Sequence, residues 1–300
     1  MDKIFFRNYH LIFFMLVILG WVTSSSAGNY KDSLEREIIL KEKPERIISL
    51  APSLTEILYF LGLGDRVVGV SRFSDYPPEA TLKPIVGSYI SLNVEKIISL
   101  SPDLVIGTVD GNKPGVVSLL EQAGIEVFIV NPRNVRQVID TIATLGRICG
   151  VHERANTLSG KLIKRVDHIR HKIGPMGRPL VFLQINVQPI MTINRHTFHH
   201  DLIRLAGGRN MTEDEPFNYP RISLEEVISR KPEVIVISSM ERGGRFERAQ
   251  MEWYKWKSIP AVKNGRVHLI NSDFIDRPSP RILKGLEVMA KILHPEVKWE

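Results

Sequence analysis

A short pattern in this chain recurs after 130 residues, and this recurrence constrains the fold more than any other feature. Residues 93–99 read Asn-Val-Glu-Lys-Ile-Ile-Ser, and residues 223–229 read Ser-Leu-Glu-Glu-Val-Ile-Ser. Each segment is followed by a proline, an acidic residue and an apolar run, at 102–106 and again at 232–236. A capped helix that leads into a buried strand at both places predicts two lobes of the same architecture.

Strand-like and helix-like segments alternate on both sides of one long predicted helix at 153–173. Alternation of this kind is typical of parallel sheets covered by helices. The long helix carries its apolar residues at spacings of three and four, which gives it one apolar stripe. The sequence therefore predicts an α/β protein: two Rossmann-like lobes with parallel sheets, 28–150 and 175–300, joined by a single long backbone helix within 151–174. The predicted strands are 46–50, 67–70, 103–107, 127–130, 180–185, 234–237 and 267–270; the other predicted helices are 93–100, 114–123, 135–147, 198–205, 224–229 and 281–293.

The N-terminus has the layout of a secretory signal peptide. Lys3 and Arg7 precede an apolar run over 11–22, and small residues follow up to Ala27. A run of about 12 residues is short for a membrane span, which needs about 20. We expect residues 1–27 to be removed after Ala27 and the mature protein to be periplasmic, with an uncleaved anchor as the alternative. No cysteine lies near the cut, so no lipoprotein anchor is expected.

Composition places the chain among globular proteins. Hydrophobic residues make up 43% and charged residues 24%. The formal net charge is +7, but acidic residues are scattered among the basic ones, so we expect no nucleic-acid partner. Cys149 is the only cysteine and lies among apolar residues, which favours a small buried side chain over a reactive thiol.

The first helix begins at a sequence typical of a capping box. Ser53-Leu54-Thr55-Glu56 follows Ala51-Pro52. In such a box Ser53 accepts a hydrogen bond from the Glu56 amide, and the Glu56 carboxylate accepts one from the Ser53 amide. The pattern thus predicts a local role for Glu56.

Glu95 and Glu225 occupy the same place in the two repeats. Each lies in the first turn of its predicted helix, where a carboxylate stabilises the helix dipole. Two equivalent carboxylates on two similar lobes would suit a partner that has two equivalent basic sites, such as a twofold membrane dimer. We therefore interpret this pair as a docking pair as well as a helix-stabilising one.

Several motifs, in order, resemble the cobalamin and iron–siderophore solute-binding proteins of ABC transporters. The resemblance runs from about residue 44 to 295 and includes 46–58, Ser74-Asp75-Tyr76-Pro77-Pro78, 93–95, 101–106 and Ser279-Pro280-Arg281. Within the family the chain looks closest to the cobalamin-binding branch. The resemblance implies an exported binding protein that is expected to be a monomer without cofactor and to deliver its ligand to an ABC permease dimer.

The resemblance also implies which residues bind. Aromatic ligand contacts of the cobalamin branch fall on Phe73, Tyr89 and Tyr219, and rim contacts fall on Asp273 and Arg277. The docking glutamates of the family fall on Glu95 and Glu225. The chain departs from the branch because tyrosines stand where it has two tryptophans, and because an aromatic position of the second lobe falls around Ile185. Cobalamin is therefore the expected ligand, with an iron–siderophore or haem as the alternative.

Other functions remain open at this stage. His196, His199 and His200 could contribute to a bare metal site, but adjacent residues on a helix do not face each other. We expect no bound metal ion there, and His200 is expected to cap the helix or contact solvent. The sequence contains no nucleophile elbow, phosphate loop or zinc-protease motif. No catalytic residue is expected, and an exported α/β enzyme or a metallochaperone is a distant alternative.

Overall fold

The computed structural model describes residues 28–238 and 245–299, and it contains two four-stranded parallel sheets. The predicted signal peptide lies outside the described residues. The strands are β1 (Gly28–Lys31), β2 (Glu37–Leu40), β3 (Ile47–Ser49), β4 (Val67–Val70), β5 (Gly87–Ser88), β6 (Ser91–Leu92), β7 (Leu104–Thr108), β8 (Glu126–Val130), β9 (Leu180–Gln184), β10 (Arg209–Asn210), β11 (Val234–Ile237) and β12 (Val267–Leu269). The two-lobed α/β class predicted from the sequence is confirmed.

Helices connect these strands. They are α1 (Pro52–Phe60), α2 (Val94–Ser99), α3 (Pro114–Gln122), α4 (Val135–Ile148), α5 (His152–Ile173), α6 (Phe198–Leu205), α7 (Leu224–Arg230), α8 (Arg245–Trp253), α9 (Pro260–Lys263), α10 (Ser272–Ile275) and α11 (Ile282–Leu293). Among the helices of the described residues, none has the length and apolar character that crossing a membrane requires.

Each lobe is built around one sheet. The first has the strand order β4-β3-β7-β8, and the second has the order β10-β9-β11-β12. All pairs within these sheets are parallel, because a helix or long connection returns the chain between neighbouring strands. Two antiparallel hairpins, β1-β2 and β5-β6, lie outside the sheets.

The repeat read from the sequence is present in the structure. Helices α2 and α7 lead into β7 and β11, which each hold the third place in their sheets. The turn before each strand is the same: Ser101 and Lys231 have left-handed backbones, with φ of 44° and 51°. The acidic residues that precede the two strands, Asp103 and Glu233, also have the same role, because each accepts hydrogen bonds from backbone amides. Asp103 accepts from the amides of residues 45 and 46, and Glu233 accepts from the Leu180 amide. The two lobes are therefore variants of one folding unit.

Helix α5 joins the lobes and carries the core that they share. Its buried positions are Ala155, Leu162, Ile169 and Ile173, on the predicted apolar stripe. The helix packs against α4 of the first lobe and against α6 and α11 of the second. One apolar cluster extends from β3 and α1 through these helices to β9 and α11. Because this cluster spans both lobes, their separation would expose core side chains to water.

A buried carboxylate adds a polar link between the lobes. Asp201 of α6 accepts a hydrogen bond from the amide of Val135, the first residue of α4, at 2.9 Å. An acidic side chain at a helix N-terminus satisfies an amide that has no partner within the helix.

The capping box predicted for α1 is wrong. The cap residue is Ala51, and no side chain caps this helix. Ser53 and Glu56 lie inside the helix, and the Glu56 carboxylate bonds to residues of the second lobe. A contact more than 200 residues away in sequence has replaced the local one that the pattern favoured.

A matched pair of glycines tests the packing of α4 on α5. A methyl group on Gly146 would overlap the side chain of Ala155, whereas one on Gly160 of α5 would meet nothing. We predict that Gly146→Ala lowers the free energy of unfolding by about 1–3 kcal/mol because the helices must move apart. Gly160→Ala should raise it by about 0.5–1 kcal/mol through helix propensity. Urea denaturation of both variants measures this, and two changes of the same sign would contradict the packing.

Candidate ligand-binding cleft

A cleft of about 720 Å³ opens between the two lobes, and all five predicted ligand-binding residues line it. Phe73, Tyr89, Tyr219, Asp273 and Arg277 come from both lobes and enclose one space. The cleft lies at the carboxyl ends of the strands, since Ala51, Thr108 and Val130 follow or end β3, β7 and β8. This edge of an open parallel sheet is a usual place for ligands.

Tyr89 reaches the cleft from the turn between β5 and β6. Its hydroxyl lies 3.0 Å from Oγ1 of Thr108, at the end of β7. Its ring covers Gly111, where any side chain would overlap it. Burial raises the pKa of the Tyr89 phenol, and the Thr108 hydrogen bond offsets part of that rise. The ring is thus held in one place as an uncharged surface at neutral pH.

Tyr219 holds the equivalent position in the second lobe. Its ring meets the imidazole of His199 edge-on, with centroids 6.3 Å apart at 90°. Burial raises the pKa of the Tyr219 phenol, and the Asp110 carboxylate raises it further. Phe73 differs from both tyrosines because it is 57% exposed and lies at the edge of the cleft.

Arg277 and Asp273 lie in the second lobe, but Arg277 is tied to the first. Its Nη1 donates to Glu56 at 3.0 Å and to Asp75 at 2.8 Å, and its Nη2 lies 3.2 Å from Asp273. Burial lowers the pKa of Arg277, but its hydrogen bonds to Asp75 and Glu56 and the nearby negative charges of Asp273 and Asp75 together raise the pKa above its ordinary value. Much of the hydrogen-bonding capacity of Arg277 is therefore used within the protein, which the sequence did not indicate.

The lining of the cleft is acidic. Among the described residues, the lining contains the carboxylates of Asp110, Asp273 and Asp276 and one guanidinium, that of Arg277. Asp110 forms a two-bond pair with Arg133, at 2.7 and 2.8 Å. Asp273 lies 3.2 Å from Nη2 of Arg277, and Asp276 bonds to Ser238. Each carboxylate therefore already has a protein partner, and its remaining lone pairs can accept hydrogen bonds from a ligand.

His199 is a cleft residue that the sequence interpretation did not include in the ligand site. Its Nε2 lies 3.1 Å from Asp276, which also accepts from Ser238 at 3.0 Å. Its ring stacks on Phe198, with centroids 4.0 Å apart. The only sequence signal was the cap Thr197, which accepts from the His200 amide and places 198 and 199 in the first turn of α6.

The three histidines do not gather into a metal site. His199 is buried and bonded to Asp276, while the backbone amide of His200 is held by the Thr197 cap. Burial lowers the pKa of His200. Within residues 28–238 and 245–299, no group of three or more metal-ligating side chains is placed to hold a metal ion. Ile185 is buried in the shared core.

Glu95 and Glu225 are exposed in the first turns of α2 and α7. The caps predicted for these helices are confirmed, because Asn93 accepts from the Lys96 amide and Ser223 from the Glu226 amide. Each helix precedes a strand of its parallel sheet, so its N-terminus lies at the carboxyl edge, on the side of the cleft. One exposed carboxylate therefore lies on each lobe beside the opening.

A profile of the family described as periplasmic binding protein matches residues 47–274. The chain belongs to this family. It is 33% identical over 247 residues to the vitamin B12-binding protein of Yersinia pestis (strain Pestoides F), which covers 82% of the chain and 85% of the relative. The vitamin B12-binding protein of Vibrio cholerae (strain O395) is 33% identical over 250 residues, 83% of the chain and 89% of the relative.

Solved structures of this family have the same architecture. The periplasmic vitamin B12 binding protein BtuF of Vibrio cholerae superposes with a TM-score of 0.77 at 32% identity, covering 84% of this chain and 97% of that one. A periplasmic heme binding protein from Pseudomonas aeruginosa gives a TM-score of 0.75 at 26% identity, covering 85% and 94%. The chain is therefore similar both to proteins named for vitamin B12 binding and to a protein named for heme binding.

The buried phenol of Tyr219 gives a pH-dependent prediction. Its pKa is raised in the folded state, so its contribution to stability is present below about pH 10 and is lost as the pH rises further. Between pH 8 and pH 11, the free energy of unfolding of the wild type should therefore fall relative to that of Tyr219→Phe, which has no phenol to ionise at this position. Urea denaturation at both pH values measures this, and tyrosinate absorbance of the unfolded protein supplies the reference titration. A difference that does not change with pH would contradict the assigned environment.

Proposed function

We propose that this protein is the extracytoplasmic solute-binding protein of an ABC importer, and that it binds cobalamin in the interlobe cleft. The observation that carries the proposal is the convergence of Tyr89 and Tyr219, from equivalent positions of two lobes, on one cavity. Similarity to vitamin B12-binding proteins supports the choice of ligand.

The aromatic lining suits a broad, partly apolar ligand. Tyr89 and Tyr219 offer two large ring surfaces, with Phe73 at the edge. Aromatic rings supply contact area at little cost in rotamer entropy. The cavity of about 720 Å³ lies within the range of small-molecule sites, about 300–1,000 Å³. A corrin would place its faces or edges against the rings of both lobes.

The charge of the cleft separates the candidate ligands. Asp110, Asp273 and Asp276 can accept hydrogen bonds from amide groups, which cobalamin carries around its ring. Haem propionates and the anionic groups of many ferric siderophores would face these carboxylates. The hydrogen-bond acceptors of the lining therefore favour cobalamin, with haem or an iron–siderophore as the alternatives.

Delivery to the membrane is assigned to the two exposed glutamates. We propose that Glu95 and Glu225 each pair with a basic side chain of an ABC permease dimer, with one lobe over each subunit. Their equivalent positions on two similar lobes support this arrangement. Membership of a periplasmic family supports a location outside the cytoplasmic membrane, while cleavage after Ala27 stays a prediction.

Ligand choice is tested by titrating the purified protein with cyanocobalamin, haemin and a ferric catecholate by calorimetry. We predict one cyanocobalamin site per chain with a Kd below about 1 µM, equivalent to about −8 kcal/mol. Tyr89→Ala and Tyr219→Ala should each weaken binding at least about tenfold, whereas Trp256→Ala, an aromatic outside the cleft, should not. A site for haemin or the catecholate with none for cobalamin would reassign the ligand. Turnover of any of the three would instead place the protein among enzymes.

Docking is tested separately with Glu95→Gln and Glu225→Gln in one chain. The Kd for cobalamin should not change, because neither residue lines the cleft. Cobalamin uptake into proteoliposomes that contain a cobalamin ABC permease should fall, and more so at low salt, where charge pairs contribute most. Glu153→Gln, another exposed first-turn glutamate, is the matched control. Equal loss of uptake in the control would mean that the docking surface lies elsewhere.

A further inference from the structure

We propose that Glu56 is a positioning residue that holds the two lobes at the spacing seen in this structure and fixes Arg277 at the cleft wall. This inference rests on the proposed function for its effect on ligand binding, but not for its effect on lobe geometry. Glu56 belongs to the first lobe, and every side-chain partner that the structure gives its carboxylate belongs to the second.

The contacts of Glu56 are unusually complete for a carboxylate that crosses between lobes. Its Oε1 accepts from Arg277 at 3.0 Å and from Arg281 at 2.5 Å. Its Oε2 accepts from Arg281 at 2.8 Å and from Ser279 at 2.5 Å. The Glu56 side chain is only 2% exposed. A charged group this deeply buried is tolerated when its hydrogen-bonding capacity is met, so the contact is stable only while the lobes stay together.

The same cluster forms part of the cleft wall. Arg277 bonds to Glu56 and Asp75 of the first lobe and to Asp273 of its own lobe. Arg277 and Asp273 line the cleft, whereas Glu56 and Arg281 line a second groove behind it. Glu56 therefore contacts Arg277 and, through it, supports the Arg277–Asp273 pair of the cleft wall.

Arg281 is held on its other face as well. Its guanidinium lies 4.1 Å from the ring centroid of Tyr76, in the first lobe. Separation of the lobes would break the Glu56 bonds, the Asp75 bond and this cation–π contact together, because all of them cross the same boundary. We infer that lobe spacing and the orientation of Arg277 are coupled: a force that opens the lobes also displaces the cleft-facing Arg277–Asp273 pair. Docking of each lobe on a separate permease subunit would supply such a force.

The test compares Glu56→Gln with a buried carboxylate that does not cross between lobes. Asp32→Asn is the matched control, since Asp32 is buried and bonds to Arg36 and to the Ile129 amide within the first lobe. Asp75→Asn weakens another contact between the lobes, the Arg277–Asp75 pair, at a more exposed residue. It serves as a milder second variant if Glu56→Gln folds poorly.

The distance between the lobes is measured by double electron–electron resonance between spin labels attached to the cysteines of Ser99→Cys and Ser229→Cys. These serines are exposed at equivalent positions of α2 and α7. Cys149 does not interfere, because burial raises the pKa of its thiol to about 12 and excludes the reagent. Without ligand, Glu56→Gln and Asp75→Asn should broaden the distance distribution and shift it to a longer mean, and Asp32→Asn should leave it unchanged.

Binding is measured on the same four proteins. Glu56→Gln should weaken cyanocobalamin binding at least about tenfold, chiefly through faster dissociation, and Asp32→Asn should not. All variants should melt at lower temperature, so thermal stability alone does not distinguish the roles. Unchanged spacing in Glu56→Gln and Asp75→Asn would overturn the proposal even if cobalamin binds. Altered spacing together with no cobalamin binding by wild type would uphold it and reject cobalamin as the ligand.

Discussion

The close packing of α4 and α11 on α5 fixes where the two lobes stand, and the cleft depends on that spacing. Gly146 lets α4 approach Ala155 of α5 with no side chain between them. The apolar cluster continues from this contact into both lobes, and each lobe adds a smaller cluster of its own. Since interiors this closely packed do not deform gradually, the lobes hold a defined separation and the two cleft tyrosines hold a defined distance. A rigid bridge of this kind favours small changes of the opening over wide closure.

Hydrogen bonds and ion pairs between the lobes supplement this apolar packing. Asp201 meets the first amide of α4 beside the bridging helix, and the Glu56 cluster crosses between the lobes behind the cleft. Removing one partner from a buried ion pair typically costs several kcal/mol, because the other charge is left without compensation. The cluster therefore resists opening at one place, whereas the cleft itself is lined by aromatic rings and by carboxylates that bond to neighbouring side chains. Arg277 belongs both to this cluster and to the wall of the cleft.

The sequence predicted well those elements that repeat or show clear periodicity. Strands β4 and β11 and helix α6 have the predicted bounds, and α5 differs by one residue. Buried parallel strands are short and apolar, and capped helices carry local signals, so neighbouring residues determine both. The two-residue strands β5, β6 and β10 were missed because so short a pairing leaves no periodicity to read. Helix α10, which carries Asp273, was missed because four residues are too few to show a helical periodicity.

The site was predicted less completely, and the reason is distance along the chain. Resemblance supplied all five ligand-contact residues, and two of them, Tyr89 and Tyr219, are also separated by 130 positions, the interval of the repeat. Glu56 was assigned to a capping box because its nearest sequence neighbours fit one, while its true partners lie at Arg277 and Arg281. His199 was not placed in the ligand site, since its partner Asp276 follows by 77 positions. Contacts of this kind depend on how two lobes are placed, which local patterns do not specify.

A crystal structure of the protein grown with cyanocobalamin tests the central claim most directly. The account predicts the corrin between Tyr89 and Tyr219, with amide side chains toward the aspartates of the cleft and with Glu56 still bonded to Arg281. A corrin seated in the rear groove, against Tyr59 and Tyr76, or bound to one lobe alone, would contradict it.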